Sequence, residues 1–184
     1  MKGTRIFVAR QAVFARALRM TAVLTALAVL GSCSLFSADK PPPPKEIEIK
    51  PPAPDATLDF LVTASPLINP GTDGTPSSMV FRLYELSAPT QFSSANFRQL
   101  WESDEATLGA TLLGKHEIVI APGGVEHIKA KLNEKTLMIG VVAGFRDVTQ
   151  AKWRALVPLQ GEKTLALKAS LKTLSVDLGP QDAQ

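Results

Sequence analysis

The chain has 184 residues, 45% of them hydrophobic and 20% charged, with a single cysteine and two histidines. Its 20 lysines and arginines against 17 acidic residues give +3, but five of the basic residues and none of the acidic ones precede Cys33, leaving 15 against 17 beyond that point. A near-neutral remainder lacks the basic footprint of a nucleic-acid binder, and one cysteine excludes an internal disulfide framework.

Lys2, Arg5, Arg10, Arg16 and Arg19 form a positively charged leader, and Met20 to Leu30 is an uncharged apolar run too short to span a bilayer. The small pair Gly31-Ser32 then precedes Cys33. Leu30-Gly31-Ser32-Cys33 resembles a bacterial lipobox. Residues 1–32 therefore read as a lipoprotein signal peptide, and Cys33 as the first mature residue, carrying diacylglycerol on its sulfur and an acyl chain on its nitrogen. Ser34, rather than an acidic residue, follows it, which points to the outer membrane with the protein facing the periplasm. Acyl chains contribute about 0.8 kcal/mol per buried methylene, so a multiply acylated cysteine anchors without a transmembrane helix.

From Ser34 to Asp55 the chain holds seven prolines around the charged segment Lys45-Glu46-Ile47-Glu48-Ile49-Lys50. Such a sequence favours extended polyproline II, so residues 33–55 read as a lipidated cysteine and a periplasmic tether. At about 3.1 Å per residue the tether reaches at most about 70 Å. Residues 56–179 are then one domain of adequate size for an apolar core, with 180–184 a short tail.

Within the domain the apolar period is mostly two. Leu58, Phe60 and Val62 alternate with Asp59 and Thr63, and Met79, Phe81 and Leu83 with Val80 and Arg82, predicting strands with one buried face. Further strands are expected over 112–120, 125–132, 137–145, 153–159, 163–169 and 173–178, separated by turn signals such as Pro122-Gly123-Gly124 and Gly161-Glu162. Strands at this spacing predict a mostly β fold, an antiparallel two-sheet β-sandwich. One segment departs from the period: after Pro89, a helix capped by Ser93 or Ser94 brings Phe97, Leu100 and Trp101 onto one stripe. Trp101 and Trp153 read as packing residues.

The residues offer no catalytic constellation. Gly109 to His116 approaches a phosphate-binding loop, but His116 stands where a hydroxyl should bind magnesium and no helix is expected after it. His116 and His127 lack the spacing of a zinc site, and no Gly-x-Ser-x-Gly elbow is present. Glu102, Asp104 and Glu105 read as a solvated polar face. No metal and no cofactor beyond the acyl groups is expected. What remains is the longest connection, Asn69, Pro70, Gly71, Thr72, Asp73, Gly74, Thr75, Pro76, Ser77 and Ser78, between the first two strands, since loops held on a rigid scaffold commonly bind partners.

Asn69-Pro70, Pro76, Arg82-Leu83-Tyr84-Glu85-Leu86, Phe92, Phe97, Leu100-Trp101-Glu102, Thr107-Leu108-Gly109, Ala121-Pro122-Gly123, the run Ile139 to Arg146 and Trp153-Arg154, together with the lipobox, resemble the TssJ (SciN) family of type VI secretion lipoproteins. The resemblance implies a transthyretin-like sandwich with one short added helix. It also implies an outer-membrane anchor that binds the periplasmic C-terminal domain of the inner-membrane protein TssM, reaches TssL only indirectly through the membrane complex, and uses the loop Asn69 to Ser78 in the TssM contact. A periplasmic carrier of small ligands on the same fold is the alternative, and it requires an apolar cavity.

Overall fold

The computed structural model describes residues 48–181. The signal peptide, Cys33, most of the tether and the last three residues of the tail lie outside them. In chain order the described elements are β1 (Thr57–Ala64), β2 (Met79–Leu86), three short helices α1 (Thr90–Ser94), α2 (Phe97–Glu102) and α3 (Asp104–Leu108), and β3 (Leu112–Ile120), β4 (Val125–Lys131), β5 (Met138–Ala143), β6 (Arg154–Pro158), β7 (Thr164–Leu171) and β8 (Val176–Pro180). The strands form two four-stranded sheets, in the orders β4-β1-β7-β8 and β3-β2-β5-β6.

Alternation builds the space between them. Leu58, Phe60 and Val62 of β1 and Phe81 and Leu83 of β2 point inward and are fully buried, with the Phe60 and Phe81 ring centroids 6.1 Å apart. Every named strand pair is antiparallel except one: β1 runs parallel to β7 from Thr57↔Thr164 to Ala64↔Leu171. The expected mostly β, antiparallel two-sheet sandwich is thus what forms, with this one parallel pair inside it. The connection from β1 to β2 carries the chain into the other sheet, so the neighbour that β1 finds beside it is a strand arriving much later in the same direction.

A second apolar cluster lies on the outer face of the β2–β5 sheet, where Phe92, Leu100 and Leu108 of the helices cover Tyr84, Leu86, Met138 and Val142. This is why β5 is buried on both faces and reads as a continuous apolar run rather than an alternating one. Two glycines allow the close approach: a Cβ at Gly140 would meet the Phe92 ring at 2.8 Å, and one at Gly144 would meet Trp101. Trp101 stacks on Phe97 at 5.1 Å and Trp153 meets Phe97 edge-on at 5.2 Å, the packing roles expected of them.

The helical excursion differs from the single helix expected. Asn96, not Ser93 or Ser94, caps the helix bearing Phe97, Leu100 and Trp101, in a reciprocal capping box with Gln99. Asp104 is likewise no part of a solvated face. It is 7% exposed and accepts hydrogen bonds from the Tyr84 hydroxyl and from Lys115 Nζ, both at 3.0 Å, with Arg82 Nη1 3.7 Å away. Arg82 in turn donates to the Trp101 carbonyl at 2.8 Å and lies 4.4 Å above its ring. The network bolts the helices to β2 and β3, and only the folded sheet brings Tyr84 and Lys115 to Asp104.

Burial alone would raise the Asp104 carboxyl's pKa, but hydrogen bonds from Lys115 and Tyr84 outweigh it and hold the group below the usual carboxylate range. Its stabilising effect is therefore present above that range and is lost as the pH falls through the depressed value. Asp104→Ala, which leaves the Tyr84 hydroxyl and Lys115 without their acceptor, is expected to cost about 1–3 kcal/mol in urea denaturation at neutral pH. The difference from the native chain should narrow as the pH falls below the carboxylate range; a difference independent of pH would show that the charge plays no part.

The end of the proline-rich segment is also docked rather than solvated. Lys50 N–H donates to the Leu159 carbonyl at 3.0 Å, Ala53 N–H to the Glu162 carbonyl at 3.2 Å, and Pro52 is buried. The turn between β6 and β7 passes through Gly161 at φ +88°, leaving those carbonyls available.

Candidate functional site

The register places the connections at two opposite poles. At the Thr57 end of β1 lie the docked segment Lys50–Ala53, the β6–β7 turn and the end of β4 at Lys131. At the Ala64 end lie the β1–β2 loop, the β3–β4 turn, the β5–β6 loop and the β7–β8 turn. Ala64 N–H reaches the Gly124 carbonyl at 2.9 Å, and Ser65 N–H the Leu171 carbonyl at 2.8 Å. Eight residues of β1 separate the poles by about 26 Å.

The loop from Asn69 to Ser78 is built around its first residue. Asn69 is 2% exposed and sits at φ +49°, a left-handed conformation that asparagine tolerates better than most side chains. Its Oδ1 accepts from Arg146 N–H at 2.8 Å, its Nδ2 donates to the Ser78 carbonyl at 3.2 Å, its carbonyl accepts from the Ser77 hydroxyl at 2.7 Å, and its N–H donates to the Thr173 carbonyl at 3.1 Å. One residue thus joins three of the connections at this pole. Asn69→Ala removes both side-chain bonds and places alanine at positive φ, so a loss of about 2–4 kcal/mol is expected in urea denaturation. Asn69→Asp, which keeps the acceptor for Arg146 N–H, should lose less, and equal losses would mean that the Arg146 bond contributes nothing.

Beyond Asn69 the loop closes on itself. Gly71 N–H donates to the Thr75 carbonyl at 2.9 Å and Gly74, at φ +79°, to the Gly71 carbonyl at 3.0 Å. Asp73 accepts from the Thr75 N–H and hydroxyl at 3.0 and 2.8 Å, and these two bonds hold its carboxyl below the usual range. Pro70, Gly71, Pro76 and Ser77 are half-buried, while Thr72, Asp73, Gly74, Thr75 and Ser78 are exposed. The exposed tip is pre-formed, which lowers the ordering cost of any contact it makes.

Sequence reasoning missed the exposed apolar side chains on the rim of this pole. Among the described residues the exposed large hydrophobics are Ile49, Leu67, Val119 and Val125; the last three, 61–67% exposed, belong to this pole. Val125 pairs with Thr63 at the end of β1 and Val119 with Val80 at the start of β2, so the two lie on the outer faces of opposite sheets; Leu67 lies in the β1–β2 loop, two residues after Ser65, whose carbonyl accepts from Gly123 N–H. A signal existed: Ile118-Val119-Ile120-Ala121 is an unbroken apolar run on a strand that otherwise alternates, so one of its members had to face outward.

The remaining polar groups support no chemistry. His127 pairs with Asp59, whose carboxyl is held below the usual range first by that hydrogen bond. Among the described residues no group of three or more His, Cys, Asp or Glu could hold a metal, and no helix is long and apolar enough to cross a membrane. The described residues thus form a sandwich with several loops and exposed apolar side chains at one pole and a buried polar network engaged in holding the helices.

Residues 56–179 match the family described as type VI secretion lipoprotein, VasD, EvfM, TssJ. The chain belongs to this family, a structural lipoprotein component of the type VI secretion system and not an enzyme. Among solved structures it is similar to the T6SS lipoprotein TssJ1 from Pseudomonas aeruginosa, at 30% identity over 71% of this chain and all of the other, with a TM-score of 0.67. It is also similar to a chain in a type VI membrane complex, at 25% identity over 68% of this chain and 98% of the other, TM-score 0.62. A chain in a structure described as the T6SS protein TssM C-terminal domain from EAEC shares the fold at 22% identity, over 68% and 98% of the two chains, TM-score 0.57. No curated protein matches the chain at a significant level.

Proposed function

We propose that the protein anchors a type VI secretion membrane complex to the outer membrane, with Cys33 acylated in the periplasmic leaflet and the loop pole bound to the periplasmic C-terminal domain of TssM. The observation that carries this reading is the polarity of the domain. The membrane tether joins at one pole, and the structured loop Asn69 to Ser78 with its rim of Leu67, Val119 and Val125 lies at the other. Exposed apolar side chains on the rim of the same pole as a pre-formed tip suit a protein partner, because they are desolvated on docking without a large ordering cost.

With Lys50 to Ala53 docked, at most residues 34–49 remain to act as the tether, which at about 3.1 Å per residue bounds its reach at about 50 Å rather than 70 Å. The ligand-carrier reading gains nothing from the fold, since Phe60, Phe81 and their neighbours fill the space between the sheets where a ligand would sit. Affinity capture from detergent-solubilised envelopes tests the proposal. The native chain should retain TssM, and the double variant Leu67→Asp, Val119→Asp should lose it while keeping the native melting temperature. Retention of TssM by that variant would move the contact to another face, and failure of the native chain to retain it would reject the partner.

A further inference from the structure

We infer that the domain is a force-bearing joint in which β1 acts as a shear clamp between the membrane tether and the loop pole, and the docked segment Lys50–Ala53 as a weaker catch that yields first. The inference rests on the proposed anchoring at Cys33 and partner at the loop pole. In such a link, tension enters β1 at Thr57 and is resisted at the far end of the same strand, so where β1 sits decides what the load must break.

β1 is an inner strand. It pairs with β4 over seven residues and with β7 over eight. Hydrogen bonds between strands lie across the strand axis. A pull along β1 toward Thr57 therefore strains both ladders together, and it must also drag Leu58, Phe60 and Val62 past the facing side chains of the other sheet. No rung can open before the rest. The parallel β1–β7 pair contributes more than half of these contacts, which gives this one exception among the antiparallel pairings a mechanical consequence.

The chain's other end is held differently. β8 ends its sheet, pairing with β7 over five residues and touching the other sheet through the bonds of Val176 N–H and the Leu174 carbonyl to Lys152, and it runs antiparallel to β7, so Pro180 lies toward the tether pole. A pull between tether and C-terminus opens the β7–β8 ladder one rung at a time. The catch is weaker again: two backbone hydrogen bonds, Lys50 to Leu159 and Ala53 to Glu162, hold it. Its release frees residues 50–55, since Ala56 stays in the core with its carbonyl bonded to Leu132 N–H, and lengthens the tether by at most about 20 Å before β1 takes load.

Single-molecule pulling on residues 33–184, expressed without lipid, separates these geometries and does not require TssM. The thiol of Cys33 is one handle. The second is Ala121→Cys in the β3–β4 turn for shear, or Gln184→Cys for peeling. At one pulling speed the main rupture force should be at least twofold higher through Ala121→Cys than through Gln184→Cys, since forced unfolding follows the barrier along the pulled direction. A short low-force extension of at most about 20 Å should precede it in both geometries. Equal forces, or a stronger C-terminal geometry, would overturn the clamp. Lys50→Pro, which removes the N–H that binds Leu159, should abolish the early extension and leave the main rupture unchanged; an undiminished early step would overturn the catch. Loss of TssM binding by the rim variants alters none of these forces, so the two readings fail separately.

Discussion

Cys33→Ala is expected to abolish both membrane retention and secretion while leaving the folded domain intact. The cysteine lies 23 residues before Ala56, the first buried hydrophobic residue among the described ones. Its acyl chains are the anchor in the proposed function, and several chains are needed for stable attachment. Fractionation and circular dichroism check the two halves of the expectation: the variant should move wholly to the soluble periplasmic fraction with an unchanged melting temperature. Retention of the variant in the outer membrane would show that another element holds it there. A large fall in melting temperature would show that the cysteine belongs to the fold.

Replacing Gly71 to Pro76 by a glycine-serine linker of equal length should weaken binding to the TssM periplasmic domain at least tenfold, about 1.4 kcal/mol. The replacement spares Asn69, Ser77 and Ser78, so the bonds to Arg146 and across the loop base remain and the strands on either side stay paired. It removes the internal closure through Gly71, Asp73 and Thr75 that pre-forms the tip, and with it the advantage of an ordered contact. Calorimetry on the purified domains measures the effect. Undiminished affinity would place the contact on the rim, at Leu67, Val119 and Val125, rather than on the tip.

The strands and the core were legible because both depend on local alternation. Leu58, Phe60 and Val62, or Met79, Phe81 and Leu83, declare a buried face without knowledge of what covers it, and each of them is buried. The helices were legible only in part. The stripe Phe97, Leu100, Trp101 was visible, but three short helices replaced one, because breaks at Ala95 and Ser103 follow from docking on the sheet rather than from any strong helix breaker. The loop Asn69 to Ser78 stood out by its composition. The role of Asn69 within it did not, since its partners Arg146 and Thr173 are 77 and 104 residues away in sequence.

By itself the sequence determined the two-residue period of the sandwich and the residues that carry the family resemblance, and it set the expectations of a leader, a lipobox and a proline-rich spacer. These are properties of neighbouring residues, and neighbouring residues are what a sequence displays. Only the tertiary structure decided that β1 runs parallel to β7 between two partners, that Asp104 is a buried acceptor for Tyr84 and Lys115, that Lys50 to Ala53 belong to the domain, and that Leu67, Val119 and Val125 lie exposed at the pole opposite Lys50 to Ala53. Each of these is a contact between segments far apart in the chain. Such contacts are set by the free energy of burying both sheets at once, a quantity that no local window of residues contains.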